Sequence, residues 1–148
     1  MPTTCTRRFE WDAAHRVLRH ESKCAHLHGH RYVAEVTFGA EALDEVSRVI
    51  DFGAIKEQLG KWIDDEWDHT TLVNEEDTAL VEFCAHQWQR ARAAGKVPRK
   101  AYRFKGEPTA ENIAAELLRV AKRMFNRDGL WVEKVRIWET PNCWAEAT

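Results

Sequence analysis

The stretch "KCAHLHGHRY", Lys23 to Tyr32, gathers a cysteine, three histidines and a glycine ahead of a strand-like run. Of the seven histidines in the chain, His15, His20, His26, His28 and His30 all fall between positions 15 and 30. Side chains alternate along an extended backbone, so His28 and His30 leave it on the same side, about 6–7 Å apart. That spacing suits two imidazoles converging on one ion. If the strand ending at His15 pairs antiparallel with theirs, His15 completes a set of three neutral nitrogen ligands. Zinc held by three histidines with an open fourth position polarises hydroxyls and carbonyls and acidifies a bound oxygen. Gly29, lacking a side chain, permits close approach of backbone or substrate between the ligands. The plain alternative is a group of surface-loop histidines.

Cys24 reads two ways. It is a fourth zinc ligand that closes the site into a structural one, or a nearby thiolate base favoured by the metal and by Lys23. Spacing does not separate these. In "DDEWDHTTL", Asp68 and His69 have the composition of a carboxylate-oriented acid/base pair, although neighbours in sequence often point apart. Glu139, in "IWETPN", is by itself a terminal carboxylate on the surface.

These residues need elements to hold them. "TCTRRFEWDAA" has the pattern of a first strand ending near His15, and "RYVAEVTFG" of a second, joined to the first by a long loop. "DFGAIKEQLGKWIDDEW" follows a capping Asp51 and repeats Phe52, Ile55, Leu59, Trp62, Ile63 and Trp67 at helical spacing. Residues Asp77 to Ala94 form another amphipathic segment, and "PTAENIAAELLRVAKRMF" a third, with Thr109 as cap and Glu111 in its first turn. "GLWVEKVRIWET" returns to period two and ends near Glu139. The order implies an α+β domain with helices on one face of an antiparallel sheet; a parallel βαβ layout fits less well.

The 148 residues suit one domain, 1–148. With 22 basic against 24 acidic side chains there is no polyanion-binding surplus, so no nucleic-acid partner is expected and an anionic ligand must be met locally. No apolar run nears the roughly 20 residues of a membrane span. The N-terminus lacks a signal-peptide core, so no membrane partner and a cytoplasmic location are expected. Cys5, Cys24, Cys84 and Cys143 include no CxxC pair and read as reduced thiols.

"FEWDAAH", "CAHLHGH", "VIDFGAIKE", "DEWDHTTL", "PTAENIA" and "IWET", in this order, resemble the superfamily of 6-pyruvoyltetrahydropterin and 6-carboxytetrahydropterin synthases. The resemblance spans nearly the whole chain. It implies the tunnelling fold, with an antiparallel four-stranded sheet, helices on one face, and a homohexamer of two trimers whose active sites lie between subunits. It implies Zn²⁺ on His15, His28 and His30, Cys24 as catalytic thiol with Asp68 and His69 as its acid/base partner, and Glu139 as anchor of the pterin ring. Thr109 and Glu111 belong to the motif that helps shape that pocket. The three residues between Cys24 and His28 resemble the carboxy-forming branch of the queuosine and 7-deazapurine pathway, whose substrate is 7,8-dihydroneopterin triphosphate. A pyruvoyl-forming lyase and a silent pterin- or zinc-binding scaffold are the alternatives. Arg16, Arg19 and Lys23 are the nearest cations for the triphosphate. Residues 77–106 have the look of an insertion between helices, whose Lys96, Arg99, Lys100, Arg103 and Lys105 either meet the triphosphate or form a solvated basic loop.

Overall fold

A computed structural model describes residues 1–148. Two long strands organise it, β1 (Thr3–His15) and β2 (His28–Ala40), paired antiparallel so that His15 lies opposite His28 and Ala13 opposite His30. β2 also pairs antiparallel with β5 (Leu130–Thr140), which turns back into β6 (Cys143–Ala147). On the other side, β1 pairs parallel with β3 (Thr70–Asn74), and β3 parallel with β4 (Tyr102–Phe104).

The sheet is therefore mixed and six-stranded, in the order β4-β3-β1-β2-β5-β6. The expectation of four antiparallel strands is corrected on both counts. β3 and β4 are too short for a period of two to stand out. Their parallel pairing requires a crossover, which the helix between them supplies. β6 lies just beyond the turn that marked the expected end of the last strand.

α1 (Phe52–Ile55) and α2 (Lys61–Glu66) are joined by a π-helical stretch, so the expected single helix is continuous but locally widened. Asp51 caps it by accepting from Gly53 N–H at 2.9 Å. Ile55, Leu59, Ile63 and Trp67 form its buried stripe. α4 (Ala110–Phe125) is capped by the Thr109 hydroxyl and buries Ile113, Ala114, Leu117, Val120 and Ala121. These helices cover the sheet face carrying Trp11, Tyr32, Ala34, Val36, Phe38, Val135 and Ile137. Each large apolar side chain buried there contributes about 1.5–3 kcal/mol. The opposite face presents Arg8, Glu10, Asp12 and Arg31, all exposed.

Residues 77–106 are ordered structure. They supply α3 (Thr78–Ala93) and β4, and Leu80 and Cys84 pack on Val73 of β3 in a small second core; Val73 alternates with Leu72 of the main core, so α3 lies on the opposite face and the expectation of helices on one face is corrected. No helix is long and apolar enough to cross a membrane.

Candidate functional site

The antiparallel pairing of β1 and β2 brings His15, His28 and His30 together at one end of the helix-covered face. One ring nitrogen of each lies within 4.8 Å of the others'. His15 is 1% exposed, and His28 and His30 are half-buried. Their orientation is held from behind. His15 Nδ1 is 2.7 Å from the Pro108 carbonyl, and His28 Nδ1 is 2.6 Å from the His26 carbonyl. A carbonyl only accepts, so each Nδ1 carries a proton, and in the neutral ring each Nε2 keeps its lone pair. The buried Nε2 atoms of His15 and His30 have no aligned hydrogen-bond partner. Three converging ring nitrogens, two of the rings oriented through Nδ1, fit a metal ion such as zinc.

Glu139, at the end of β5, reaches the same place: Oε1 is 3.1 Å from His15 Nε2 and 3.3 Å from His30 Nε2, without hydrogen-bond alignment. The contact with His15 holds the Glu139 carboxyl below the usual range, against the opposing pull of burial. Burial lowers the pKa of His30. Tyr32 continues the face of His28 and His30 into the core, stacks on Trp11 at 5.5 Å, and has a buried hydroxyl without a partner. Its phenol is pushed up by burial.

Asp68 and His69 do point together. His69 Nδ1 lies 2.9 Å from Asp68 Oδ2, which leaves Nε2 free, and the ring is 72% exposed. The pairing depends on His69 taking the left-handed backbone conformation, φ 56°, unfavourable for a residue with a Cβ by about 1–2 kcal/mol. β1 and a distant arginine hold that turn. His69 N–H donates to the Asp12 carbonyl at 2.7 Å, and Asp12 N–H donates to Asp68 Oδ1 at 3.1 Å. Arg99 Nη2 donates to the carbonyls of Asp64, at 2.8 Å, and of Asp68. Burial raises the Asp68 pKa, but hydrogen bonds from His69 and Asp12 N–H outweigh it and hold the carboxyl below its ordinary value.

The dyad clusters with the side chain of Asp12, on the face opposite the three histidines. There it borders a depression of about 560 Å³ lined by Asp12, Gly29, Arg31, His69 and Thr71, with His30 at its edge. Gly29 turns to this face and not between the histidines, and a Cβ there would sit 3.3 Å from the Ala13 carbonyl. Cys24, half-buried in a 3-10 turn at Lys23–Ala25, belongs to neither cluster and bonds to neither member of the dyad.

The cations placed beside the metal loop are engaged within the chain. Arg16 grips Asp77 through Nε and Nη2, both at 2.6 Å, and Arg19 pairs with Glu76. Lys23 forms no ion pair. Thr109 spends its hydroxyl as helix cap, and Glu111 is exposed with its carboxylate uncontacted. Pro108, Glu107 and Arg99 in these supporting roles were not legible as such. Glu107 accepts from Leu18 and Arg19 N–H at 2.7 and 3.2 Å and so ties down the loop after His15. Pro108 opens the "PTAEN" motif and Glu107 directly precedes it, which is the one sequence signal that pointed toward either.

Asp77, 3% exposed, also caps α3 by accepting from Leu80 N–H at 3.2 Å. The Arg16 guanidinium holds its carboxyl well below the ordinary range. A depressed folded-state pKa gives stability that is present above the unfolded value, about 3.9, and is lost as pH falls through the folded value. Asp77→Ala is expected to destabilise the protein by about 2–4 kcal/mol at neutral pH, since it strands Arg16 and removes a cap. Urea denaturation should show this gap closing below about pH 4.

A family model described as 6-pyruvoyl tetrahydropterin synthase matches residues 4–148. A Rickettsia conorii protein named 6-carboxy-5,6,7,8-tetrahydropterin synthase is 39% identical over 146 residues, covering 96% of this chain and 97% of its own. An Aquifex aeolicus protein of the same name is 31% identical, with 93% of each chain covered. Among solved structures, an uncharacterized protein from Wolinella succinogenes superposes with a TM-score of 0.82 at 21% identity, over 99% of this chain and 98% of that one. The Caenorhabditis elegans 6-pyruvoyl tetrahydropterin synthase does so with a TM-score of 0.71 at 24% identity, over 100% and 96%. Those two identities speak for a shared fold alone. Given the match of the family model along residues 4–148 and the relatives aligned over nearly their whole length, the chain belongs to the 6-pyruvoyl tetrahydropterin synthase family.

Proposed function

We propose that this lyase converts 7,8-dihydroneopterin triphosphate and water to 6-carboxy-5,6,7,8-tetrahydropterin, acetaldehyde and triphosphate, on the route to queuosine or a related 7-deazapurine. The observation that carries the reading is the cluster of His15, His28 and His30 with Glu139 against it, in a chain 39% identical to a protein named for that product. Zinc on the three histidines supplies a Lewis acid for the side-chain oxygens of the substrate. The Glu139 carboxylate accepts two N–H bonds from the 2-amino-pyrimidinone edge, which fixes the ring. Cys24 and the Asp68/His69 pair move the protons of isomerisation and of carbon-carbon cleavage. Asp68 keeps the His69 Nδ1 proton in place and so presents Nε2 as the working base.

In one protomer the dyad and the histidine cluster occupy opposite faces of the β1–β2 pair. That separation supports an active site completed by a neighbouring subunit, whose Asp68 and His69 serve this chain's Cys24. β4 and β6 leave both edges of the sheet unpaired, which supports closure into a barrel of several copies, a dimer of trimers in this reading. Lys23, free of ion pairs, is the first cation for the triphosphate; Arg16 and Arg19 serve only after releasing Asp77 and Glu76. Thr109 and Glu111 border the ring pocket through the segment that also holds His15. Four free thiols suit a reducing cytoplasm.

Product analysis by mass spectrometry tests this, with zinc-loaded protein, 7,8-dihydroneopterin triphosphate and trapped acetaldehyde. Carboxytetrahydropterin with one acetaldehyde per turnover is expected. A pyruvoyl product without acetaldehyde would move the chain to the sister activity, and unchanged substrate with pterin retained would make it a binding scaffold.

A further inference from the structure

The helix that leads into the Asp68/His69 pair ends one bond short. Trp67 N–H and Asp68 N–H both donate to the Ile63 carbonyl, at 2.9 Å each, so the Asp64 carbonyl lacks the bond from Asp68 that a regular α-helix would give it. Arg99 supplies the link instead. Its Nη2 donates to the Asp64 carbonyl at 2.8 Å and also to the carbonyl of Asp68, bridging the two residues that the helix leaves unjoined. The bridge lies directly before His69, whose left-handed φ of 56° turns the ring toward the Asp68 carboxylate. A guanidinium presents its N–H groups at fixed angles and so sets both carbonyls together. Arg99 makes no ion pair, and its Nε is buried without a hydrogen-bond partner, which is costly to maintain. What places this side chain is the Nη2 bridge. Segment 77–106 delivers it. α3 stops at a left-handed Gly95, φ 68°, with Lys96 N–H returning to the Ala91 carbonyl at 2.9 Å, and the chain then runs past Pro98 to Arg99 and into β4. Lys100 lies over the Trp88 ring of α3, 5.5 Å from its centre, and Tyr102 is paired with Leu72 of β3. Arg99 is thereby held by α3 and the sheet while its head reaches the turn at His69.

We propose that Arg99 is the positioning residue of the Asp68/His69 pair, and that presenting it is the role of segment 77–106. This rests on the reading of that pair as a proton carrier and extends it to the residue that sets its geometry. It replaces both uses that sequence position left open for Arg99, a contact with the triphosphate and a place in a solvated loop. Without the bridge the Asp64 and Asp68 carbonyls turn to water, and the strained turn at His69 keeps only its bonds to Asp12. The ring then samples orientations in which Nδ1 leaves Asp68, and Nε2 is presented for a fraction of the time. Contacts with substrate are untouched, so the loss falls on kcat.

Arg99→Ala is expected to lower kcat about ten- to a hundredfold at unchanged KM, the scale of a misplaced catalytic group. Arg99→Lys, which keeps the charge and loses the fork, should recover little of this. Millimolar guanidinium ion should restore part of the Arg99→Ala rate and none of the His69→Ala rate. Nitrogen-15 spectra of histidine-labelled protein read the ring without turnover. At about pH 8.5, above the ordinary histidine pKa of about 6.5, wild-type His69 should hold its proton on Nδ1, and in Arg99→Ala the proton should be shared between the two nitrogens. His69→Ala identifies the resonances by their loss. An unchanged tautomer in Arg99→Ala would overturn the proposal. A KM that rises at constant kcat would overturn it as well and return Arg99 to the anion of the substrate. So would a shifted tautomer with kcat and KM both intact, because the pair would then be idle in the reaction. If Arg99→Ala does not fold, Arg99→Lys carries both readouts. If wild-type protein leaves 7,8-dihydroneopterin triphosphate unchanged, the proposed function fails, and the tautomer comparison still decides whether Arg99 orients the ring.

Discussion

His28→Ala lowers the affinity for zinc by about two powers of ten or more and removes turnover, while the fold survives. Structural zinc sites with four protein ligands supply about 10–16 kcal/mol, or about 2.5–4 kcal/mol per ligand, and each 1.4 kcal/mol is tenfold. His28 suits the experiment better than His15. It is half-buried at the start of β2 and makes one hydrogen bond, to the His26 carbonyl, whereas removing the buried His15 ring strands the Pro108 carbonyl in the interior. His26→Ala is the control, because that residue contributes only its main-chain carbonyl to the arrangement. Chelator competition and circular dichroism on both variants give the answer. Equal zinc affinity in His28→Ala and wild type would exclude His28 as a ligand.

Cys24→Ala and His69→Ala should each cut the rate by about 10²–10⁴ with zinc still bound, the range for removal of a proton-transferring group. The two differ in the local damage they do. Cys24 lies in a short turn and bonds to neither member of the dyad, so its loss perturbs little. His69→Ala retains the left-handed turn held by Asp12 and Arg99 but removes the ring that Asp68 orients. Mixing the two inactive variants, with subunit exchange, should restore activity at about a quarter of the sites if thiol and dyad come from different subunits. No recovery after verified exchange would place both in one protomer. Loss of zinc from Cys24→Ala would instead make the thiol a ligand.

The helices were readable because their signals are local. Asp51 and Thr109 each accept a main-chain hydrogen bond two or three positions on, as their residue types suggest, and the buried stripe of α4 follows its helical spacing. β1, β2 and β5 were readable because they are long enough for alternation to emerge. β3 and β4 were not, and the antiparallel reading failed with them: five and three residues carry almost no periodicity, and parallel pairing is decided by a crossover helix. Asp68 and His69 could be noticed as neighbours, but their hydrogen bond requires the positive φ of His69, which β1 and Arg99 sustain from elsewhere in the chain. Arg16 and Arg19 were sensible anion binders by position. The fold instead sets Asp77 and Glu76 against them.

By itself the sequence determined that His28 and His30 share one side of a strand with Tyr32, since alternation is a property of any extended chain, and that the helices begin where their caps stand. Only the tertiary structure decided that β3 and β4 join the sheet in parallel, that the Pro108 carbonyl presets His15, that Glu139 reaches its Nε2, and that the dyad faces away from the histidines. Local pattern depends on residues a few positions apart. These other contacts depend on strand register and crossover, which are settled by the energy of packing the whole chain at once.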